Sequence, residues 1–447
     1  MQPSQNATRA RSAALAGGTK GVPSRDARPD ETLSGLTAPT VLSPRDQQEL
    51  LSCVNTARSE GLALVVTGGG TAMGAANPPR ALDLLLSTRG LGGPIDARPN
   101  DMVVTISAGA TLTELNRTLA ASGQRLPLDP PLAGQATLGG LVAADTTCSS
   151  SAGFGCFRDM VLGLNAIDGS GRELTVGGQV VKNVAGYDLV RLLAGSNGSL
   201  AIITQLTLRT FPRPVAALTL QYRLADTAAA VATRASLLNS ELSPVMMDLL
   251  QSGGKDSAGS SPDNDHERPL LLLRIEGGNS ELDYQQARLR ELLGCAPLAR
   301  SDTPPDHHDA LHQDWLLRLR AVSMPGQALA FADRIATLVK AGGSYQLLTH
   351  LCSGETVIGL EPRPPVKARK TATSERSPQE MAALLVELRQ AAFDYKARVV
   401  VEQAPAELYE LVDCWHGRPA GLGLMRQLKK RFDPVGILSP GRLAGGL

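Results

Sequence analysis

The chain has 447 residues, 43% of them hydrophobic and 19% charged, with a formal net charge of +1. That length exceeds one typical core and supplies two or three domains, and the near-zero charge leaves no electrostatic footprint for nucleic acid or anionic lipid. Its six cysteines include no Cys-x-x-Cys pair, which argues against a zinc ribbon or an iron–sulfur run and for reduced thiols in a cytosolic protein.

Residues 1–38 are rich in Arg, Ser and Ala, with Gly17-Gly18, Pro23 and Pro29, and lack the apolar core of a secretory signal. They read as a disordered leader, with a transit peptide as the alternative. No stretch reaches the roughly 18 to 20 apolar residues of a membrane span. Order is expected from Thr40, with a helix capped by Ser43, carrying Pro44 at its first position and ending at Gly61. The apolar run Leu62–Thr67 predicts a strand that feeds Gly68-Gly-Gly-Thr-Ala-Met-Gly74. Strands are expected over Arg80–Leu86 and Met102–Ser107, then a helix over Thr111–Ser122, with Thr111 and Glu114 at capping-box spacing. A short helix at Asp188–Leu193 and a strand over Leu200–Thr210 precede Pro212 and Pro214, where a domain boundary is placed. Beyond it, Leu218–Leu224, Leu270–Glu276, Tyr345–His350 and Val357–Leu360 read as strands. Ala228–Asn239, Ser280–Leu293, Ala328–Ala341 and Glu380–Ala392 read as helices, and Gln251–Arg268 has linker composition. This alternation predicts an antiparallel α+β layer. Leu422–Arg431 reads as a basic helix stopped by two turn signals.

Three glycine-rich segments carry the chemistry. Gly68–Gly74 follows a strand, yet Asn77-Pro-Pro79 prevents a helix from starting there, and Asp83 stands too early for a ribose ligand; both observations reject a Rossmann loop. Consecutive amides can still form an anion nest, with Thr71 adding a hydroxyl. Thr137-Leu-Gly-Gly140 could approach the same phosphates, although a turn before a buried strand reads equally well. Gly195 and Gly198 give a tight turn into Leu200–Thr204. Packed against β-branched runs, the three together describe a flavin site.

On these segments, on Lys182-Asn-Val-Ala-Gly-Tyr-Asp188 and on Asp433-Pro-Val-Gly-Ile-Leu-Ser-Pro-Gly441, the chain resembles the PCMH/vanillyl-alcohol-oxidase flavoprotein superfamily. Within it, the chain is most similar to the FAD-binding subunits of heteromeric glycolate oxidases. The resemblance implies an α+β fold: a PCMH-type FAD-binding domain of two subdomains over 39–214, and an α+β cap domain of antiparallel sheet and helices over 215–415. The cap would carry a flexible loop at 251–268, and 416–447 would return to the FAD domain. It implies that Gly68, Gly69, Gly70, Thr71, Ala72 and Gly74 wrap the FAD pyrophosphate, that Thr137, Gly139 and Gly140 line the cofactor, and that Arg158, Gly198 and Ile202 adjoin it. Lys182, Asn183 and Tyr187 would stand on the flavin face as the catalytic candidates. Implied partners are a sister flavoprotein subunit, an iron–sulfur subunit and a small 2-hydroxyacid such as glycolate or D-lactate, in the cytoplasm or at the inner face of the membrane through those partners.

The family's cap motif His-x-Gly-Asp-Gly-Asn-x-His stands here as His350-Leu-Cys-Ser-Gly-Glu-Thr-Val357; with serine and valine at ligand positions, no metal is expected. All six histidines lie at or after position 266, which excludes a histidyl-flavin bond from the FAD domain and leaves FAD noncovalent. A sister subunit with an intact motif would then be the main catalyst. A stand-alone FAD-dependent alcohol or hydroxyacid oxidoreductase and a noncatalytic scaffold subunit are the alternatives. His308 and His312 have helical metal-ligand spacing but read as a solvated helix start. Arg318 and Arg320 could grip a carboxylate, and Lys429-Lys430-Arg431 reads as surface charge.

Overall fold

A computed structural model describes residues 21–27, 32–33, 36–178, 188–254, 268–305, 309, 311, 315–340, 343–362 and 376–447. The chain divides into two compact units: Met1–Thr146 with Cys156–Arg213 and Gly417–Leu447, and Thr147–Gly155 with Pro214–His416. Thr147–Gly155 lies in sequence within the 39–214 stretch but packs with the second unit.

In the first unit, β1 (Ser24–Asp26), β2 (Thr40–Leu42), α1 (Gln47–Glu60), β3 (Leu64–Thr67) and β4 (Leu84–Ser87) open the chain. They form a four-stranded sheet in the order β1-β2-β4-β3, in which β4 pairs in parallel with both β2 and β3. The strand at Ser24–Asp26 lies within the stretch expected to be disordered, and it pairs with β2. The cap of helix α1 is Asp46, three residues after the expected Ser43. The Ser43 amide is drawn to the Pro23 carbonyl instead, and the Asp46 carboxylate accepts from the Glu49 amide at 2.8 Å. Leu50, Cys53, Val54 and Ala57 recur at helical spacing and are buried, and Gly61 closes the helix in the left-handed conformation. Burial pushes the Cys53 thiol up to about 12, so it is inert packing.

A second sheet, antiparallel throughout, is built from β5 (Asp96–Arg98), β6 (Val103–Ser107), β7 (Val161–Asp168), β8 (Glu173–Gly177) and β9 (Ala201–Arg209), in the order β8-β7-β9-β6-β5. Helices α2 (Leu112–Ala120), α3 (Leu138–Ala144) and α4 (Leu189–Leu193) accompany it. The expected Thr111/Glu114 capping box is formed in full. Leu64, Leu84, Ile167, Ile202 and Leu438 belong to one buried core, which fixes β3 against β7, β9 and the chain's last turn.

The second unit holds one eight-stranded sheet, antiparallel throughout. Its strands are β10 (Ala216–Arg223), β11 (Met246–Gly253), β12 (Leu270–Gly277), β13 (Ala299–Ser301), β14 (Trp315–Val322), β15 (Tyr345–His350), β16 (Glu355–Pro362) and β17 (Arg398–Gln403), in the order β13-β10-β12-β11-β15-β16-β14-β17. Helices α5 (Thr227–Leu238), α6 (Asn279–Leu293), α7 (Ala328–Lys340) and α8 (Pro378–Asp394) supply its buried face together with alternate strand residues such as Leu249, Leu273, Leu347 and Leu360. By strand parity, Asp248, His350, Glu355, Arg318, Arg320 and Glu402 occupy the opposite face. The mixed α+β architecture agrees with the sequence. The expected linker at 251–268 begins too early, because Gln251–Gly253 completes β11; residues 255–267 lie outside the described residues.

His416 caps the edge strand: its Nδ1 accepts from the Val399 amide at 2.9 Å, and burial, with the Arg389 and Arg398 charges, lowers its pKa. The folded state therefore disfavours the imidazolium, while the unfolded chain protonates near pH 6.5. Stability is lost as pH falls through about 6.5 toward the lower folded value. His416→Asn, which keeps an acceptor, is expected to lose less stability than wild type between pH 7 and pH 5 in urea unfolding.

Candidate functional site

Loop Gly68–Gly74 leaves the carboxyl end of β3, and no helix follows it before β4, so the chain turns without a dinucleotide helix. Asp83, considered above as a ribose ligand, serves the backbone instead: its Oδ2 accepts from the Ala63 amide at 2.8 Å. The loop's first two glycines pack so tightly that side chains cannot be added there. A Cβ on Gly68 would stand 2.0 Å from Thr137 Oγ1, and one on Gly69 would stand 1.9 Å from the Gln135 carbonyl oxygen. Gly70 adopts φ +79°, and space opens beyond it.

Thr137 begins a helix, α3, and not a turn before a strand. Its Oγ1 accepts from the Gly140 amide, while the Leu138 and Gly139 amides donate to the Ala110 and Ala108 carbonyls. Those donors are spent, so Gly139 and Gly140 contribute close approach: a Cβ on Gly139 would meet Ala108 Cβ at 2.7 Å. The amides of Gly69 and Gly70 have no acceptor among the described residues and remain as the donors of the nest.

These segments line an open cleft. Of the expected residues, Gly68, Gly69, Gly70, Thr71, Ala72, Thr137, Gly139, Gly140, Gly198 and Ile202 line it, whereas Gly74 and Arg158 do not. Arg158 pairs with Asp145 at 2.6 Å and so holds the left-handed residue that ends α3. Lys182, Asn183 and Tyr187 lie outside the described residues, as do His308 and His312. Apolar wall is added by Val66, Leu141, Ile202 and Ile203. Among the described residues Arg442 is the one charged group of the lining; its Nη2 donates to the Met73 and Ala75 carbonyls at 3.0 and 2.6 Å, buttressing the glycine loop. Sequence reasoning missed Arg442, because a single arginine after Pro-Gly carries no signal of its own.

The tail closes the same side. The Leu64 amide donates to the Ile437 carbonyl and the Leu64 carbonyl accepts from the Ser439 amide, which places Leu438 alongside β3, and buried Ser439 adopts φ +44° beside Gly198. In α9 (Leu422–Phe432), Lys429 departs from the expected surface run: it is largely buried and donates to Asp433 at 2.7 Å, the Ser199 carbonyl at 2.8 Å and the Leu438 carbonyl at 2.6 Å. Burial holds the pKa of the ammonium below its ordinary value, and Asp433 offsets that lowering only in part.

On the second unit's sheet, Arg318 and Arg320 are engaged by protein carboxylates. Arg318 Nε and Arg320 Nε each reach Glu402 at 3.1 Å, and Arg320 Nη1 reaches Glu355 at 3.5 Å. His350, the retained first histidine of the cap motif, meets Asp248 at 2.8 Å through Nδ1.

Comparison with known proteins agrees with this geometry. A family model described as an FAD binding domain matches residues 38–189, and one described as the C-terminal domain of FAD linked oxidases matches residues 414–443. Over those residues the chain is similar to the PCMH-type FAD-linked oxidases. It is an FAD-dependent oxidoreductase, and FAD is its cofactor. The glycine cradle fits that group, since donors face a concave, largely uncharged cleft whose near walls exclude side chains. Glycolate oxidase subunit GlcE of Escherichia coli (strain K12) is 38% identical over 175 residues, 39% of this chain, and the match spans 49% of that subunit. D-lactate dehydrogenase of Archaeoglobus fulgidus is 26% identical over 94% of this chain and 96% of its own, and glycolate oxidase subunit GlcD of Bacillus subtilis is 23% identical over 90% and 88%. A solved alkyldihydroxyacetonephosphate synthase shares the fold, with TM-score 0.66 and 18% identity, over 90% of this chain and 76% of that one.

Proposed function

We propose that this FAD-linked oxidase is the FAD-binding subunit of a heteromeric glycolate (2-hydroxyacid) oxidase, taking part in electron transfer from glycolate or D-lactate beside a sister flavoprotein and an iron–sulfur subunit. The observation that carries the flavin part is the glycine-built cleft of the first unit. The substrate class is supported by the relatives, which are named for glycolate and D-lactate.

Bound FAD supplies a two-electron acceptor. The chain's own residues bind and seat it. The Gly69 and Gly70 amides and the Thr71 hydroxyl meet the phosphates, with Gly68, Ala72 and Gly74 completing the turn around them. Thr137, Gly139, Gly140 and Gly198 permit close backbone approach, and Leu141, Ile202 and Ile203 keep water from the ring system. Arg158 acts through Asp145 and α3 rather than on the cofactor. Lys182, Asn183 and Tyr187 are the groups proposed to face the flavin.

Serine and valine at ligand positions of the cap motif, with His350 engaged by Asp248 and Arg318 and Arg320 by Glu402 and Glu355, favour relay over substrate oxidation by this chain alone. A stand-alone dehydrogenase is the second reading, favoured by the match over nearly the whole Archaeoglobus D-lactate dehydrogenase. Anaerobic addition of glycolate and of D-lactate to the purified chain separates them. The oxidised flavin spectrum is expected to persist until a sister subunit is added; bleaching of the chain alone would establish the second reading. Among the described residues no helix is long and apolar enough to cross a membrane, and association with the inner face through partners belongs to the same proposal.

A further inference from the structure

Within the first unit, the glycine loop is not held by its own turns alone. The Met73 amide donates to the Gly70 carbonyl at 3.4 Å and the Ala75 amide to the Ala72 carbonyl at 3.2 Å, both long contacts. Next in the chain, Ala76 is a buried alanine at φ +84°, a backbone conformation that a residue with a Cβ keeps only where its surroundings impose it. Arg442 imposes it. The peptide on each side of Ala76 bonds to that one residue: the Ala75 carbonyl accepts from Arg442 Nη2 at 2.6 Å, and the Asn77 amide donates to the Arg442 carbonyl at 3.1 Å. Arg442 Nη2 also donates to the Met73 carbonyl, at 3.0 Å. The same stretch of tail grips the chain beyond the loop. The Pro440 carbonyl accepts from the Arg80 amide at 2.8 Å, and Gly441, at φ +92°, lies so close that a Cβ there would stand 2.7 Å from Arg80 Cγ. Arg442 is buried and still lines the cleft, and a guanidinium keeps its charge in a protein. Loop and tail both belong to the first unit.

We propose that Arg442 is a positioning residue for FAD: it clamps the strained far end of the glycine loop and brings its charge to the loop that receives the anionic pyrophosphate. A planar guanidinium aims its donors in fixed directions, which suits it to gather two carbonyls of one turn. Without that clamp Ala76 relaxes toward the ordinary backbone regions, and the turn that presents Gly69, Gly70 and Thr71 shifts with it. This deepens the assignment of the cleft to FAD and rests on it.

The test uses the full chain stripped of flavin and titrated with FAD by flavin fluorescence, with thermal unfolding of the apo chain alongside. Phosphorus NMR of the FAD-saturated chain adds a readout that a loss of fold stability alone would not move. Arg442→Met, which removes the charge and the donors, is expected to raise the FAD Kd at least tenfold and to shift the pyrophosphate resonances. Arg442→Lys, which keeps the charge and donors on a shorter stem, is expected to recover most of the lost affinity while its resonances still differ from wild type. A folded Arg442→Met chain with wild-type Kd and resonances would overturn the proposal, and so would a raised Kd with unmoved resonances. Equal losses in the Met and Lys variants would also overturn it, since a group with charge and donors would then do no better than one with neither. Should the Met chain fail to fold, Arg442→Lys alone decides: shifted resonances support the proposal, and wild-type resonances overturn it. A wild-type chain that does not bind FAD would overturn the cleft assignment itself, an outcome distinct from all of these.

Discussion

Replacing Gly69 by alanine is expected to abolish flavin binding while leaving the second unit folded. The added Cβ would stand 1.9 Å from the Gln135 carbonyl oxygen and 2.7 Å from its carbon, so two backbone segments must separate. No flexible side chain is available to yield. Overpacking of this kind costs roughly 1–3 kcal/mol or more, and here the displaced atoms carry the amide donors, so at least a 100-fold rise in the FAD Kd is expected, about 2.7 kcal/mol. Gly70→Ala provides the contrast. Its Cβ meets nothing within 4 Å, and the penalty is the left-handed conformation at φ +79°, about 1 kcal/mol. Titration of the two variants with FAD by flavin fluorescence is expected to separate them by more than tenfold; equal affinities would show that the loop does not contact the cofactor.

Lys429→Met is expected to be the most destabilising single change in the first unit. Asp433 is fully buried, and its two oxygens accept from the amides of Gly436, Ile437 and Leu438 as well as from Lys429. Removing the ammonium leaves an uncompensated interior carboxylate and frees the Ser199 and Leu438 carbonyls. Breaking a buried pair in this way costs about 3–5 kcal/mol, which for a unit of this size lowers its Tm by roughly 10 °C. The tail would then loosen from β3 and from the Gly198 turn, so flavin should be released at lower temperature than from wild type. Lys430→Ala, one residue on and exposed, is expected to change stability by less than about 0.5 kcal/mol. Calorimetry of the three chains checks both expectations.

These two sites differ in how far the sequence revealed them. The glycine loop was legible because Gly68–Gly74 follows an apolar strand and precedes a proline pair, a pattern with few conformational solutions. The α2 capping box was legible for the same local reason. Helix α3 was not: Leu138-Gly-Gly-Leu141 carries two poor helix formers, and its start depends on Ala108 and Ala110 carbonyls brought in by the second sheet. The burial of Lys429 is likewise tertiary. A Lys-Lys-Arg run looks solvated, and the signal that separates its first member is Asp433 at i+4 followed by a turn whose amides need an acceptor. Strands β14 and β17 escaped notice because Arg318, Arg320 and Glu402 interrupt their apolar pattern. The structure pairs those charges on one face while Leu317, Leu319, Val399 and Val401 fill the core on the other. Arg442 was illegible in principle, since its partners are carbonyls some 370 residues earlier in the chain.

The central claim is that the glycine-built cleft of the first unit holds FAD without a covalent bond. The measurement that tests it most directly is the visible spectrum of the purified chain before and after acid precipitation, with the released flavin identified by chromatography. FAD recovered wholly in the supernatant, from wild type and not from Gly69→Ala, is the predicted result. Flavin that remains with the precipitate, or a wild-type chain that neither carries FAD nor takes it up on reconstitution, would contradict the account.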